Sequence, residues 1–148
     1  MKDGEKSRRL SRLLACVIAA GTLVLTAVLL FTGEVRVELK PDRMEIRGSY
    51  WADAAVLYAD VKSVRLVTGF SAGSRTNGFG GGRLSEGHFR SDLFGDYILY
   101  AYSACHTCVA LETADGVVAV NAATENETRA LYSSIAAAVS AFQGNPAG

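Results

Sequence analysis

Between Leu13 and Phe31 the chain carries no charged side chain: LLACVIAAGTLVLTAVLLF. These 19 residues, at about 1.5 Å each, make a helix of roughly 28 Å, close to the hydrocarbon thickness of a bilayer. Apolar residues fall on every side of that helix, so it is not an amphipathic surface helix. A cleaved signal peptide has a shorter apolar core and a small-residue cleavage site. Here the run ends Leu30-Phe31-Thr32-Gly33-Glu34, without an A-x-A pattern. Leu13-Leu14-Ala15-Cys16 looks like a lipobox, but the apolar stretch follows that cysteine instead of preceding it. The reading is one uncleaved transmembrane helix over residues 13–32, in contact with the lipid bilayer, with Cys16 inert inside it.

Residues 1–12 form a basic N-terminal tail, with Lys2, Lys6, Arg8, Arg9 and Arg12 against Asp3 and Glu5. Arg36, Lys40, Arg43 and Arg47 follow the helix at lower density. The Lys/Arg bias therefore places the N-terminus inside, making a single-pass plasma-membrane protein with an extracytoplasmic C-terminal domain. Over the whole chain, 15 Lys+Arg balance 15 Asp+Glu. A neutral chain does not bind nucleic acid through a general positive field. Three cysteines are too few for a disulfide scaffold.

The rest reads as β-rich. Glu34-Val35-Arg36-Val37-Glu38-Leu39 alternates polar and apolar, the period of a half-buried strand. Lys40-Pro41-Asp42-Arg43 is a turn, and Met44–Arg47 alternates again, so Val35–Arg47 is expected to be a hairpin ended by Gly48. Further strands are expected at Ala54–Tyr58 and Val64–Thr68, joined by a short turn or 3₁₀ segment over Ala59–Ser63. Gly69 to Gly87, GFSAGSRTNGFGGGRLSEG, reads as a long loop followed by a short strand at His88–Arg90. After a turn at Asp92–Asp96, Tyr97–Ala101 is a strand. Val109–Glu112 and Val117–Val120 flank Asp115-Gly116, a strong hairpin signal. Thr124-Glu125-Asn126-Glu127 fits a capping box opening a helix, with Leu131, Ile135, Val139 and Phe142 as its apolar stripe. Gly144 and Pro146 stop it, leaving residues 144–148 as a flexible tail. The expected class is mainly β, about seven strands, with one C-terminal helix.

That order resembles a pleckstrin-homology (PH) fold, a bent sheet or partial barrel with a helix plugging one end. The nearer resemblance is to small membrane-anchored bacterial PH domain proteins. It lies in Ala59-Asp60-Val61-Lys62-Ser63-Val64, Arg75-Thr76-Asn77-Gly78-Phe79-Gly80 and Gly87-His88-Phe89. It continues through Gly95–Tyr100, the Glu112–Asn121 hairpin and the final helix. The resemblance implies a PH-like domain over residues 34–143 and a membrane setting, and no defined activity.

Two motifs are candidates for chemistry. The glycines at 78, 80, 81 and 82 run into Arg83-Leu84-Ser85 instead of Gly-Lys-Ser/Thr, so they are not a P-loop. The G-x-G-x-x-G spacing also fails. They suit a tight connection, and as a ligand loop Arg75, Asn77, Gly78, Gly80 and Arg83 would hold an anion. Cys105-His106-Thr107-Cys108 is a C-x-x-C lying between strands, without the helix N-terminus that activates a thioredoxin-type thiol. A local disulfide or plain thiol pair is the first reading of Cys105 and Cys108. Thiol redox chemistry, or zinc held with one or both of His88 and His106, is the alternative. No Ser/His/Asp set stands out, and no catalytic residue, cofactor or metal is assigned. The functional expectation is a non-enzymatic, membrane-tethered binding or scaffold module with a protein partner.

Overall fold

The computed structural model describes residues 2–144, and their side chains except at 2–10, 29 and 30. The chain forms two compact units, residues 1–32 and residues 33–148. The first is a single helix, α1 (Lys2–Thr32), which runs through the basic segment as well as the apolar run. Thr22, Thr26 and Thr32 each turn their hydroxyl back onto the carbonyl four residues earlier at 2.8 Å. Such bonds hide the polar group inside the helix's own hydrogen-bonding scheme. The window Ser11–Val28 is long and apolar enough to cross a membrane, with a mean hydropathy of 1.9.

The second unit is mainly β, with nine strands in two sheets and one helix. The first sheet is a meander of β1 (Arg36–Leu39), β2 (Arg43–Arg47) and β3 (Ala54–Leu57), with β1 and β3 at its edges. A single 3₁₀ turn (Tyr58–Asp60) leads into the second sheet. That sheet contains β4 (Val61–Thr68), β5 (Ser74–Gly81), β6 (Leu84–Ser91), β7 (Gly95–Tyr102), β8 (Thr107–Thr113) and β9 (Gly116–Val120). Its spatial order is β4-β8-β9-β7-β6-β5. All neighbours are antiparallel except β7 and β9, which run parallel.

The expected hairpins at Pro41-Asp42 and Asp115-Gly116 are present, in the registers Leu39↔Met44 and Thr113↔Gly116. The expected long loop at Gly69–Gly87 is not. It holds β5, a strand not expected, and the start of β6, which extends the short strand expected at His88–Arg90; the described strands number nine against about seven expected. Its turn is Gly82-Arg83, with Gly82 at φ 64° and Arg83 outside the positive-φ set, the pattern of a II′ hairpin turn. Glycine is normally depleted in strands, so this stretch carries no strand signal of its own.

The helix α2 (Glu125–Gly144) opens on the expected capping box. The Glu127 N–H donates to Thr124 Oγ1 at 3.3 Å, and the Thr124 N–H donates to Glu127 Oε2 at 3.1 Å. Ile135 and Val139 are buried, while Leu131 and Phe142 are only half-buried at the edge of the contact. Gly144 is the last residue of α2; the rest of the expected tail, 145–148, lies outside the described residues.

The principal core lies between the two sheets and α2. Met44, Ile46 and Val56 come from the first sheet, Tyr100, Leu111 and Val120 from the second, and Ile135 and Val139 from the helix. The opposite face of the second sheet is apolar too: Phe89, Tyr97, Leu99, Cys108 and Ala119 pack with Phe70 of the β4–β5 linker. Central strands covered on both faces lose alternation, which is why Thr107–Leu111 is buried without interruption.

Candidate functional site

The residues expected to form an anion loop belong to a hairpin. Arg75 pairs with Phe89, Asn77 with His88, Gly78 with Gly87 and Gly80 with Ser85. Gly78 and Gly87 face each other at φ 123° and 125°, and a Cβ on either would overlap the backbone of the other strand. The glycines therefore serve close strand approach. The Arg75 guanidinium donates to the Gly80 carbonyl of its own strand at 2.6 Å. Arg83, in the turn, lies over the Tyr102 ring at 5.2 Å. Arg75, Asn77, Gly78, Gly80 and Arg83 are thus brought into one hairpin, with no loop to wrap an anion.

Cys105 and Cys108 are both buried free thiols, set in different apolar clusters. Cys105 lies in the β7–β8 connection, its Sγ 3.4 Å from the Thr107 carbonyl and 3.5 Å from Thr128 Oγ1. The turn around it is fixed by Asn121, whose Nδ2 donates to the carbonyls of Tyr102 at 3.3 Å and Cys105 at 3.1 Å. Cys108 lies within β8 against the apolar face. Burial pushes its thiol up to about 12, with the neighbouring Cys105 adding to the effect. The reactive form of a cysteine is the thiolate, and this site suppresses it. His88 and His106 are both exposed, with His88 edge-on to Trp51. Among the described residues, no three His, Cys, Asp or Glu side chains form a metal-holding group.

The second sheet's helix-free face carries a cleft of about 220 Å³ beneath the β4–β5 linker. The Phe70 N–H donates to the His106 carbonyl at 2.6 Å, and Tyr97 Oη donates to the Ala72 carbonyl at 2.7 Å. These bonds fasten the linker over the sheet. The floor is apolar, from Phe70, Leu99 and Ala101, and the rim carries Ser71, Ser103 and His106. The Ser85 and Ser103 hydroxyls bond each other at 3.0 Å. The cleft thus combines an apolar floor with two hydroxyls and an imidazole at its rim. Its residues come from two connections and two strands, and no short sequence pattern unites them.

Sequence reasoning also passed over Glu86. It lies on β6, fully buried, and its oxygens accept the N–H groups of Ser49 at 3.1 Å and Tyr50 at 2.7 Å. Two N–H donors satisfy a carboxylate that would otherwise be costly to bury. The same β2–β3 connection is held by Tyr100, whose hydroxyl donates to the Ala52 carbonyl at 2.5 Å. Burial, then the nearby Glu86 and Asp53 carboxylates, push that phenol up to about 12. No residue type or spacing announces this strap, because its members are 36 or more positions apart. Compared with known proteins, the chain matches no family model, no curated protein and no solved structure.

Proposed function

We propose that the chain is a single-pass membrane protein of the plasma membrane, whose β-rich unit is a PH-like, non-enzymatic binding or scaffold module for a protein partner. The observation that carries this reading is α1. None of the Ser11–Val28 window is buried, and its large apolar side chains, from Leu13 to Val28, stand exposed. A helix apolar on all sides is stable in lipid, where its backbone bonds are all internal. The PH-like reading draws on two sheets followed by a C-terminal helix, although the strand count is nine. The thiol-redox alternative is disfavoured by the burial of Cys108 and its raised pKa.

The test is extraction of membranes at alkaline pH, with the N-terminus of the recovered product sequenced. Full-length chain held in the pellet is expected. A product beginning after Phe31, or full-length chain in the wash, overturns the anchor, the former identifying a cleaved leader. Orientation is read with Ser134→Cys, an exposed position on α2, and a membrane-impermeant maleimide. Labelling of intact cells is expected for an extracytoplasmic domain, and labelling only after lysis reverses the orientation.

A further inference from the structure

We propose that β1 is a self-association strand, pairing antiparallel with β1 of a second copy about a two-fold axis at Val37. Strand β1 is an edge of its sheet, hydrogen-bonded on one side only to β2. The Lys40 N–H donates across to Arg43 at 2.8 Å. By the alternation of an antiparallel ladder, Arg36, Glu38 and Lys40 therefore turn their backbone groups toward β2, and Val37 and Leu39 turn theirs outward. The Val35 N–H, also outward, meets Tyr102 Oη at 3.2 Å. The open edge thus presents the N–H and C=O of Val37 and Leu39, the template that an exposed edge offers to another strand.

The charge pattern selects the occupant. Across β1 and β2 the directly opposed residues are alike in sign, Arg36 with Arg47 and Glu38 with Glu45. Like charges directly opposite disfavour a strand pair. Relief comes along the strands and on the diagonal, from Lys40–Glu38 at 3.0 Å, Arg43–Glu45 at 2.9 Å and Arg47–Glu38 at 3.9 Å, all partly exposed. Centred on Val37, the sequence Glu34-Val35-Arg36-Val37-Glu38-Leu39-Lys40 is its own antiparallel complement. Arg36 falls opposite Glu38 of the second copy, Glu34 opposite Lys40, and Val35 opposite Leu39. Each Arg47–Arg36 pair then continues into the Glu38–Glu45 pair of the second copy. The two Val37 residues exchange both backbone bonds, and the Leu39 N–H groups reach the Val35 carbonyls. The interface is isologous and closes as a dimer.

The apolar contact agrees. Leu39 is 38% exposed, one of three exposed large apolar side chains described in the second unit, with Leu57 and Leu93. Beside the β1 edge runs a groove of about 360 Å³ lined by Val35, Val37, Ala122 and Leu131. In the paired arrangement Leu39 of the second copy lies over Val35, at that groove.

The test is the association state of the full chain in detergent micelles, by sedimentation, for wild type, Arg36→Glu, Glu38→Arg and an equimolar mixture of the two variants. Each exchange places opposite charges across β1 and β2 within one chain, which offsets the exposed ion pairs it removes: Glu34–Arg36 in the first variant, Lys40–Glu38 and Arg47–Glu38 in the second. It also sets like charges across the two copies. The wild type is expected to dimerise, and each variant alone to dimerise about tenfold more weakly or worse. The mixture should recover, because the two β1 glutamates of the first variant then face the two β1 arginines of the second. A wild type that stays monomeric up to about 0.1 mM, single variants that dimerise as well as wild type, or a mixture that does not recover would each overturn the proposal.

Discussion

Cys108 shows how much a residue's role depends on where the chain puts it. Its spacing from Cys105 was visible in the sequence, but the burial that silences it was not, because β8 is covered on both faces and shows no alternation. An unfolded thiol titrates at about 8.5, whereas burial raises this one to about 12 in the folded state. The folded state thus favours the protonated thiol. That contribution is complete below about pH 8.5 and is lost progressively as pH rises toward the folded value, by at most about 1.4 kcal/mol per pH unit. Buried Tyr100 adds the same trend above about pH 10. Between about pH 8.5 and 10, the melting temperature of wild type should fall more steeply than that of Cys108→Ala. Parallel curves would show that Cys108 is not the group responsible. Among smaller signals, Thr124 and Glu127 were legible because a capping box is local, its donors and acceptors three residues apart.

At the scale of elements, the contrast is between α2 and the β5–β6 hairpin. The helix could be read from its cap and its apolar stripe, although Leu131 and Phe142 proved to be the margins of that stripe. The hairpin could not, because four of the eight residues of β5 are neither β-branched nor aromatic but serine or glycine: Ser74, Gly78, Gly80 and Gly81. What makes them a strand is the partner strand β6, not local preference. The cross-strand pair Gly78 and Gly87 is the specific requirement, since each needs a positive φ and bare space. Gly78→Ala should therefore destabilise by about 1–3 kcal/mol through backbone strain and overlap with the Glu86 backbone. Gly81→Ala, with open space around it and no positive φ, should be within about 0.5 kcal/mol of wild type. Chemical denaturation of the two variants measures the difference, and equal midpoints would mean that the hairpin tolerates a Cβ at Gly78.

At the scale of the whole molecule, the β-rich unit is two sheets that share a core but no backbone ladder. The strap from Glu86 to Ser49 and Tyr50 joins them through a single carboxylate. Glu86→Gln keeps the shape and loses one acceptor, setting an amide N–H against a backbone N–H. A cost of about 1–3 kcal/mol is expected, read as a lowered melting temperature. Glu34→Gln, in an exposed ion pair with Arg36, should cost less than about 1 kcal/mol. Equal losses would place no weight on the strap. Class, helix and most strands were legible because they rest on local periodicity; the strap and the cleft were not, because they rest on residues that only the topology brings together. The parallel pairing of β7 with β9 has a consequence in time. The hairpins β5–β6, β6–β7 and β8–β9 can each zip from a short connection, but β4 finds its only sheet partner in β8, with Val67 meeting Cys108. Such long-range closure pays chain entropy before any contact rewards it. The β7–β9 ladder joins residues 20 apart, such as Tyr97 and Val117, whereas the β4–β8 ladder joins residues at least 39 apart, from Thr68 and Thr107 outward, so β4 carries the larger closure cost. The strand that enters the sheet first along the chain is therefore the last to be secured in it.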